Sequence, residues 1–143
     1  MRLTSVMIFI MLTLHIAPND GWAQSKAEKH FQAVATDAKG IDTDMTNVIF
    51  YWEEKLSETS FVPHELRELP LKRGAATVKI KFDQIKDLLI KPSGNGSAPT
   101  VSITLNNGKT GEFVLAILGS FKGRSEFGEV ELPAIELKQV VFH

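Results

Sequence analysis

The chain has 143 residues, 43% of them hydrophobic and 23% charged, a balance that supports one folded core of ordinary domain size rather than a disordered polymer. Sixteen basic residues stand against 17 acidic ones, a net charge of -1, so no basic field exists to draw in a phosphate backbone and nucleic acid is not an expected partner. Cysteine is absent, which excludes disulfides, thiolate metal ligation and a lipid-modified cysteine, and leaves packing to hold the fold.

The chain opens on Met1 and Arg2, followed by an apolar run from Leu3 to Ala17 that only Thr4, Ser5, Thr13 and His15 interrupt. Pro18, Asn19 and Asp20 break the run, and Gly21-Trp22-Ala23 sets small residues at the minus-three and minus-one places of a signal peptidase site. Residues 1–23 are therefore read as a signal peptide cleaved before Gln24. A run of about 15 residues rises about 22 Å as helix, short of the roughly 30 Å of hydrocarbon, so no stable membrane span is expected after cleavage. The compartment this implies is periplasmic or extracellular.

Residues 24–41 carry two readings. Ser25-x-x-Glu28 matches a capping box, and Ala27, Phe31, Val34, Ala35 and Ala38 share one helical face, which gives a helix over 25–39 ended by Gly40. The other reading is an alanine-rich tether of the kind common at mature N-termini.

From Asp42 the punctuation changes to short runs of valine, isoleucine, threonine and phenylalanine divided by glycine, asparagine and proline, the signature of strands. The expected strands are Val48 to Trp52, Phe61 to Val62, Thr77 to Phe82, Leu88 to Ile90, Val101 to Leu105, Phe113 to Leu118, Glu129 to Leu132 and Val140 to Phe142. Asn107-Gly108 tolerates positive φ at both residues, so a two-residue type I′ turn is expected to join Val101–Leu105 to Phe113–Leu118. The stretch Pro92–Pro99 is rich in glycine, serine and proline and reads as a linker between a first β unit, 42–91, and a second, 100–143.

The two units share a pattern at a fixed offset of 52. Phe61 and Val62 match Phe113 and Val114, Leu69 matches Phe121, Lys72 matches Arg124, Val78 matches Val130, Ile80 matches Leu132, Ile85 matches Leu137 and Leu89 matches Val141. With one single-residue gap upstream, Val48 matches Val101. Register held over this length, across a polar turn as well as across alternating strands, points to an internal repeat. The fold class expected is all-β: two similar small antiparallel units with an N-terminal helix or tether.

Within each unit the order is two strands joined by a turn, a third and a fourth strand, one short helical turn (Asp83–Ile85 and Ile135–Leu137), and a last strand. That order resembles SH3-like and Sm-like small barrels. Each unit is then expected to be such a barrel or a sandwich, with no binding residue carried over. The run Phe127-Gly128-Glu129-Val130-Glu131-Leu132-Pro133 also resembles small exported bacterial β proteins, a likeness that implies no particular activity.

The motifs of metalloproteases, serine hydrolases, P-loop enzymes and dinucleotide binders are all missing, and no cofactor is indicated. Glu53, Glu54 and His64 supply at most an incomplete metal set, since such sites need three or four convergent ligands. Phe50-Tyr51-Trp52 is different: neighbouring strand side chains point to opposite faces, so three adjacent aromatics cannot share one core. The period-two pattern groups Val48, Phe50 and Trp52 inward and leaves Tyr51 as the more exposed ring. Phe50, Tyr51, Trp52, His64 and Arg124 are the candidate binding residues, Arg124 through the expected turn Lys122-Gly123-Arg124-Ser125. The expected function is a non-enzymatic binding module with a protein or glycan partner in the cell envelope. A small hydrolase or metal-dependent enzyme, and a protein that lends a strand edge to a partner, are the alternatives.

Overall fold

A computed structural model describes residues 30–143. The signal peptide and the capping box at Ser25 and Glu28 lie outside the described residues. Eleven strands follow in chain order: β1 (Ala33–Asp37), β2 (Asp42–Ser57), β3 (Ser60–Leu66), β4 (Glu68–Arg73), β5 (Ala76–Lys81), β6 (Ile85–Lys91), β7 (Thr100–Leu105), β8 (Thr110–Leu115), β9 (Ser120–Ser125), β10 (Gly128–Pro133) and β11 (Leu137–Phe142). Single 3-10 turns, Phe82–Gln84 and Ala134–Glu136, lead into β6 and β11.

Each expected β run lies in a strand, apart from Phe82, which opens a 3-10 turn, and residues 116–118, which leave β8. The helix expected over 25–39 is corrected for its described part: residues 33–37 are β1. Ala33 and Ala35 face the core with period two, and the segment bonds to neighbours on both sides, Ala33 lying opposite both Phe142 and Met45. A short alanine-rich helix has little stability of its own, whereas two flanking strands satisfy the backbone of β1 completely.

The strands form one antiparallel sheet in the order β10-β9-β2-β1-β11-β6-β7-β8-β4-β5, with β3 attached to β2 beside this path. The division into 42–91 and 100–143 does not describe how the strands sort. Pro92–Pro99 is the loop of a hairpin, because β6 and β7 pair directly across it. Strands from either side of the loop interleave: β9 lies against β2, and β8 against β4.

The order reads alike from its two ends, as β10-β9-β2-β1-β11 and as β5-β4-β8-β7-β6, meeting where β11 pairs with β6. At that seam Leu88 lies opposite Val140, two residues that are 52 apart (140 minus 88). The same spacing separates the starts of β4 and β9 (68 and 120), β5 and β10 (76 and 128), the two 3-10 turns (82 and 134), and β6 and β11 (85 and 137). A tertiary bond recurs with it: Phe82 N–H donates to the Arg67 carbonyl and Ala134 N–H to the Gly119 carbonyl.

Upstream the correspondence differs from the matches Val48 with Val101 and Phe61 with Phe113. By place in the sheet, β7 corresponds to β1 and β8 to β2. Gly40 N–H donates to the Asp37 carbonyl as Gly108 N–H does to Leu105, and Ala38 N–H donates to Glu136 as Asn106 N–H does to Gln84. This offset is 68 (108 minus 40), and the excess of 16 over 52 is taken up by the outer part of β2 and by β3, which have no counterpart.

The turn at Asn107-Gly108 is also corrected. The only non-glycine with positive φ among the described residues is Asn47, at 54°, so Asn107 does not adopt the type I′ geometry. Gly108 alone turns left-handed, at 89°, and Leu105 N–H donates to the Lys109 carbonyl, which makes a three-residue hairpin loop with glycine at its αL position. The Asn107 carboxamide oxygen accepts from Lys109 N–H and braces this loop.

The core gathers Met45, Val48 and Phe50 of β2, Leu69 and Leu71 of β4, Leu88, Ile103, Phe121 and Val140. Phe82 is its hub, 4.9 Å from Phe142, 5.7 Å from Phe31 and 6.3 Å from Phe121. These rings fix the inner face of β2 and β9, and so decide what the outer face presents.

Candidate functional site

Strand β2 runs 16 residues and outreaches its neighbours: β1 covers its beginning, β9 its middle through Tyr51, and β3 the remainder. Beyond Trp52 the β2–β3 hairpin stands clear of the sheet, with residues 53–61 exposed. The aromatic triplet sits where the sheet ends and this arm begins.

Alternation sends the three rings to different surroundings. Phe50 is fully buried, edge-on to Phe121 at 5.5 Å. Trp52, on the same face, packs against the core rim and is half-buried. His64, opposite it on β3, stacks on the indole at 4.3 Å and 12°. The His64 Nε2–H donates to Glu54 Oε2 at 3.0 Å, so the carboxylate holds the ring that covers the indole. Trp52 Nε1 is buried with no hydrogen-bond partner among the described residues. Tyr51 faces the other way and is also half-buried, so exposure does not separate it from Trp52 as expected.

What covers Tyr51 is a cation. Lys122 Nζ lies 3.4 Å from the centre of the phenol ring, and the hydroxyl donates to Glu53 Oε1 at 2.7 Å. The segment 122–125 is not a turn but part of β9, paired with β2: Tyr51 lies opposite Ser120, Ile49 opposite Lys122 and, past a shift in register, Thr46 opposite Arg124. On β10, Glu131 faces Lys122 and Glu129 faces Arg124, while Glu65 of β3 faces Tyr51. Lys122, Arg124, Glu65, Glu129 and Glu131 line, with Asn47 and Ile49, an open groove of about 530 Å³ that Tyr51 adjoins through Lys122. Cations run down its middle strand and carboxylates along both flanks.

This setting raises the Tyr51 pKa above 10.0: first the hydrogen bond to Glu53, which the phenolate cannot donate, then lost hydration and the charges of Glu53, Glu131 and Glu65. The proton is held more tightly in the folded protein than in the unfolded chain. The stability this contributes is therefore present below the ordinary tyrosine pKa and lost as pH rises through the raised one. Tyr51 is the chain's single tyrosine, so its ultraviolet titration is unobstructed. The midpoint is expected above that of free tyrosine and to move down in Glu53→Gln; identical midpoints in the two proteins would show that the Glu53 contact is not made.

The structure thus puts Arg124 in the groove and Tyr51 beside it, under Lys122, and puts Trp52 and His64 on the other side of the same hairpin, with Phe50 in the core. Glu53 and Glu54 are parted by alternation, one to Tyr51 and one to His64, and the described residues hold no group of three His, Cys, Asp or Glu fit for a metal ion. One carboxylate, not two, reaches His64. Lys122, Ile49, Glu65, Glu129 and Glu131 complete the groove, none of them named as a binding residue from the sequence. No helix among the described residues is long and apolar enough to cross a membrane. No family model matches the chain, and neither the curated proteins nor the solved structures gave a match.

Proposed function

We propose that the chain is an exported, non-enzymatic interaction module of the periplasm or cell envelope, binding a protein partner on the outer face of β3, β2, β9 and β10. The observation that carries this reading is a groove whose middle strand carries Lys122 and Arg124 between carboxylates, with Lys122 laid over the adjoining Tyr51 ring. A sugar stacks on an open ring face, and here the ammonium occupies that face. An extended peptide bearing both charge signs fits better, with its cations against Glu65, Glu129 or Glu131 and its carboxylates on Lys122 or Arg124.

Duplication of a small unit belongs to the same proposal. In the order β1, β2, β9, β10, 3-10 turn, β11, and again in β7, β8, β4, β5, 3-10 turn, β6, the strands follow the succession of SH3-like barrels once each set is drawn from both halves of the chain. The matched tertiary hydrogen bonds support it. The β2–β3 arm is then an addition to one copy, and the groove lies at its base.

The test is capture of partners from the envelope fraction by the protein as the cell exports it, with its mature N-terminus read by sequencing and expected at Gln24. A partner retained by the wild-type protein and lost with both Tyr51→Ala and Lys122→Glu, at unchanged denaturation midpoint, supports the reading. Retention of every partner by both variants removes the groove from it, and a product retaining Met1 in the membrane fraction overturns the export.

A further inference from the structure

The sheet is open at both ends, and its two edges carry opposite charge. Among the described residues strand β5 pairs only with β4, and β10 only with β9, so each offers a row of unpaired backbone donors and acceptors along its outer side. The outward residues of β5 are Thr77, Lys79 and Lys81; those of β10 are Glu129 and Glu131, all exposed. Their inward residues are apolar: Val78 and Ile80 on one, Val130 and Leu132 on the other.

We infer that these edges join copies of this chain head to tail, β5 of one copy adding to β10 of the next. A single antiparallel register satisfies both faces: with Ile80 opposite Val130 of the second copy, Val78 meets Leu132, Lys79 meets Glu131 and Lys81 meets Glu129. Backbone polarity agrees with it. The hairpins β4–β5 and β9–β10 have the same register, Ile80 opposite Leu69 and Leu132 opposite Phe121, so residues of equal parity turn their N–H and C=O groups outward on the two edges. Each cross-strand row then alternates in sign through the junction: Arg124 and Glu129 followed by Lys81 and Glu68, and Lys122 and Glu131 followed by Lys79.

Charge also decides against the symmetric pairings. An edge β5 laid on another β5 brings Lys79 against lysine, and β10 on β10 brings glutamate against glutamate, so isologous dimers are disfavoured and the heterologous contact remains. That contact leaves one β5 and one β10 edge unused at the ends, and growth continues into a filament or closes as a ring. Pro133, at the end of β10 and without an N–H, confines the match to residues 129–132.

The test is sedimentation velocity of the purified protein over a concentration series at low and high salt. The wild-type chain is expected to form oligomers that grow with concentration and dissociate as salt is added. Lys79→Glu with Lys81→Glu, and separately Glu129→Lys with Glu131→Lys, should each weaken association by about tenfold or more. The first variant is acidic on both edges and the second basic on both, so an equimolar mixture is expected to recover oligomers that neither forms alone, a result misfolding cannot imitate. A wild-type protein that stays monomeric at every concentration and salt overturns the inference. So do oligomers indifferent to both reversals, and a mixture that recovers nothing. Glu129 and Glu131 also wall the groove, but the purified protein carries no partner, so recovery in the mixture reads the edge contact alone; Lys79→Glu with Lys81→Glu leaves the groove's lining unchanged.

Discussion

Gly119→Ala is expected to destabilise the protein by about 3 kcal/mol, far more than glycine-to-alanine changes at exposed turns usually do. Gly119 lies immediately before β9, where its carbonyl accepts from Ala134 N–H. A Cβ there would stand 2.5 Å from the Tyr51 carbonyl oxygen and 2.7 Å from Phe50 Cζ. Neither neighbour has room to give. The carbonyl belongs to β2 where it pairs with β9, and the Phe50 ring is fully buried and held by Phe121. To admit one methyl, β9 must draw away from β2, loosening the ladder that joins the two ends of the chain and opening the groove floor beneath Lys122. Gly111→Ala is the control: its nearest neighbours are the Cε2 and Cζ ends of the half-buried Phe113 ring, at 3.0 and 3.2 Å, and a small ring displacement absorbs the methyl. Urea midpoints for the two variants give the comparison. A Gly119→Ala midpoint equal to that of Gly111→Ala would mean that β9 does not approach β2 this closely.

How far the sequence foretold this arrangement depended on whether a signal was local. The runs Val101–Leu105 and Thr77–Lys81 announced strands because each alternates within itself. The offset of 52 was legible because β4 to β6 and β9 to β11 keep identical spacing, turn included. It failed upstream because the first half carries an extra arm of 16 residues, and a one-residue gap appeared to align Val48 with Val101 where the sheet aligns β7 with β1. Ala33-Val34-Ala35 fits helical and extended periods alike, and only the partners of β1, residues of β2 and β11, distinguish them. The interleaving itself had no local trace: Ile49 and Lys122 are neighbours across a gap of 73 residues (122 minus 49). For the same reason Tyr51 and Arg124 could be named from the sequence, one for its aromatic neighbours and one for an expected turn, while Glu65 looked like an ordinary surface acid and Glu129 and Glu131 stood only in a run whose likeness implied no activity. Lys122 was in view as a neighbour of Arg124, but its place on the Tyr51 ring follows from strand register alone.

Phe50→Ala and Trp52→Ala are expected to part company although both residues point to the same face of β2. Phe50 is completely enclosed, and its removal leaves a void bounded by Phe121 and the core of β2 and β4, so a loss of about 3 to 5 kcal/mol follows from transfer and cavity terms together. Trp52 sits at the rim, half-buried, with His64 as a movable lid rather than a packed wall. When the indole is cut away the β2–β3 arm can settle and water can enter from the exposed side, which reduces the cavity term. The indole N–H is buried without a partner among the described residues, a desolvation cost that the substitution also removes. Trp52→Ala is accordingly expected to cost about half as much as Phe50→Ala. It should leave the groove on the opposite face in place, with Lys122 still over Tyr51 and the raised tyrosine titration intact. Denaturation midpoints measure the first statement and the ultraviolet titration of Trp52→Ala the second. A Trp52→Ala protein as unstable as Phe50→Ala would place the indole in the core proper; one with wild-type stability and a normalised tyrosine midpoint would mean that the arm's stack, not the β2–β9 register, positions Tyr51.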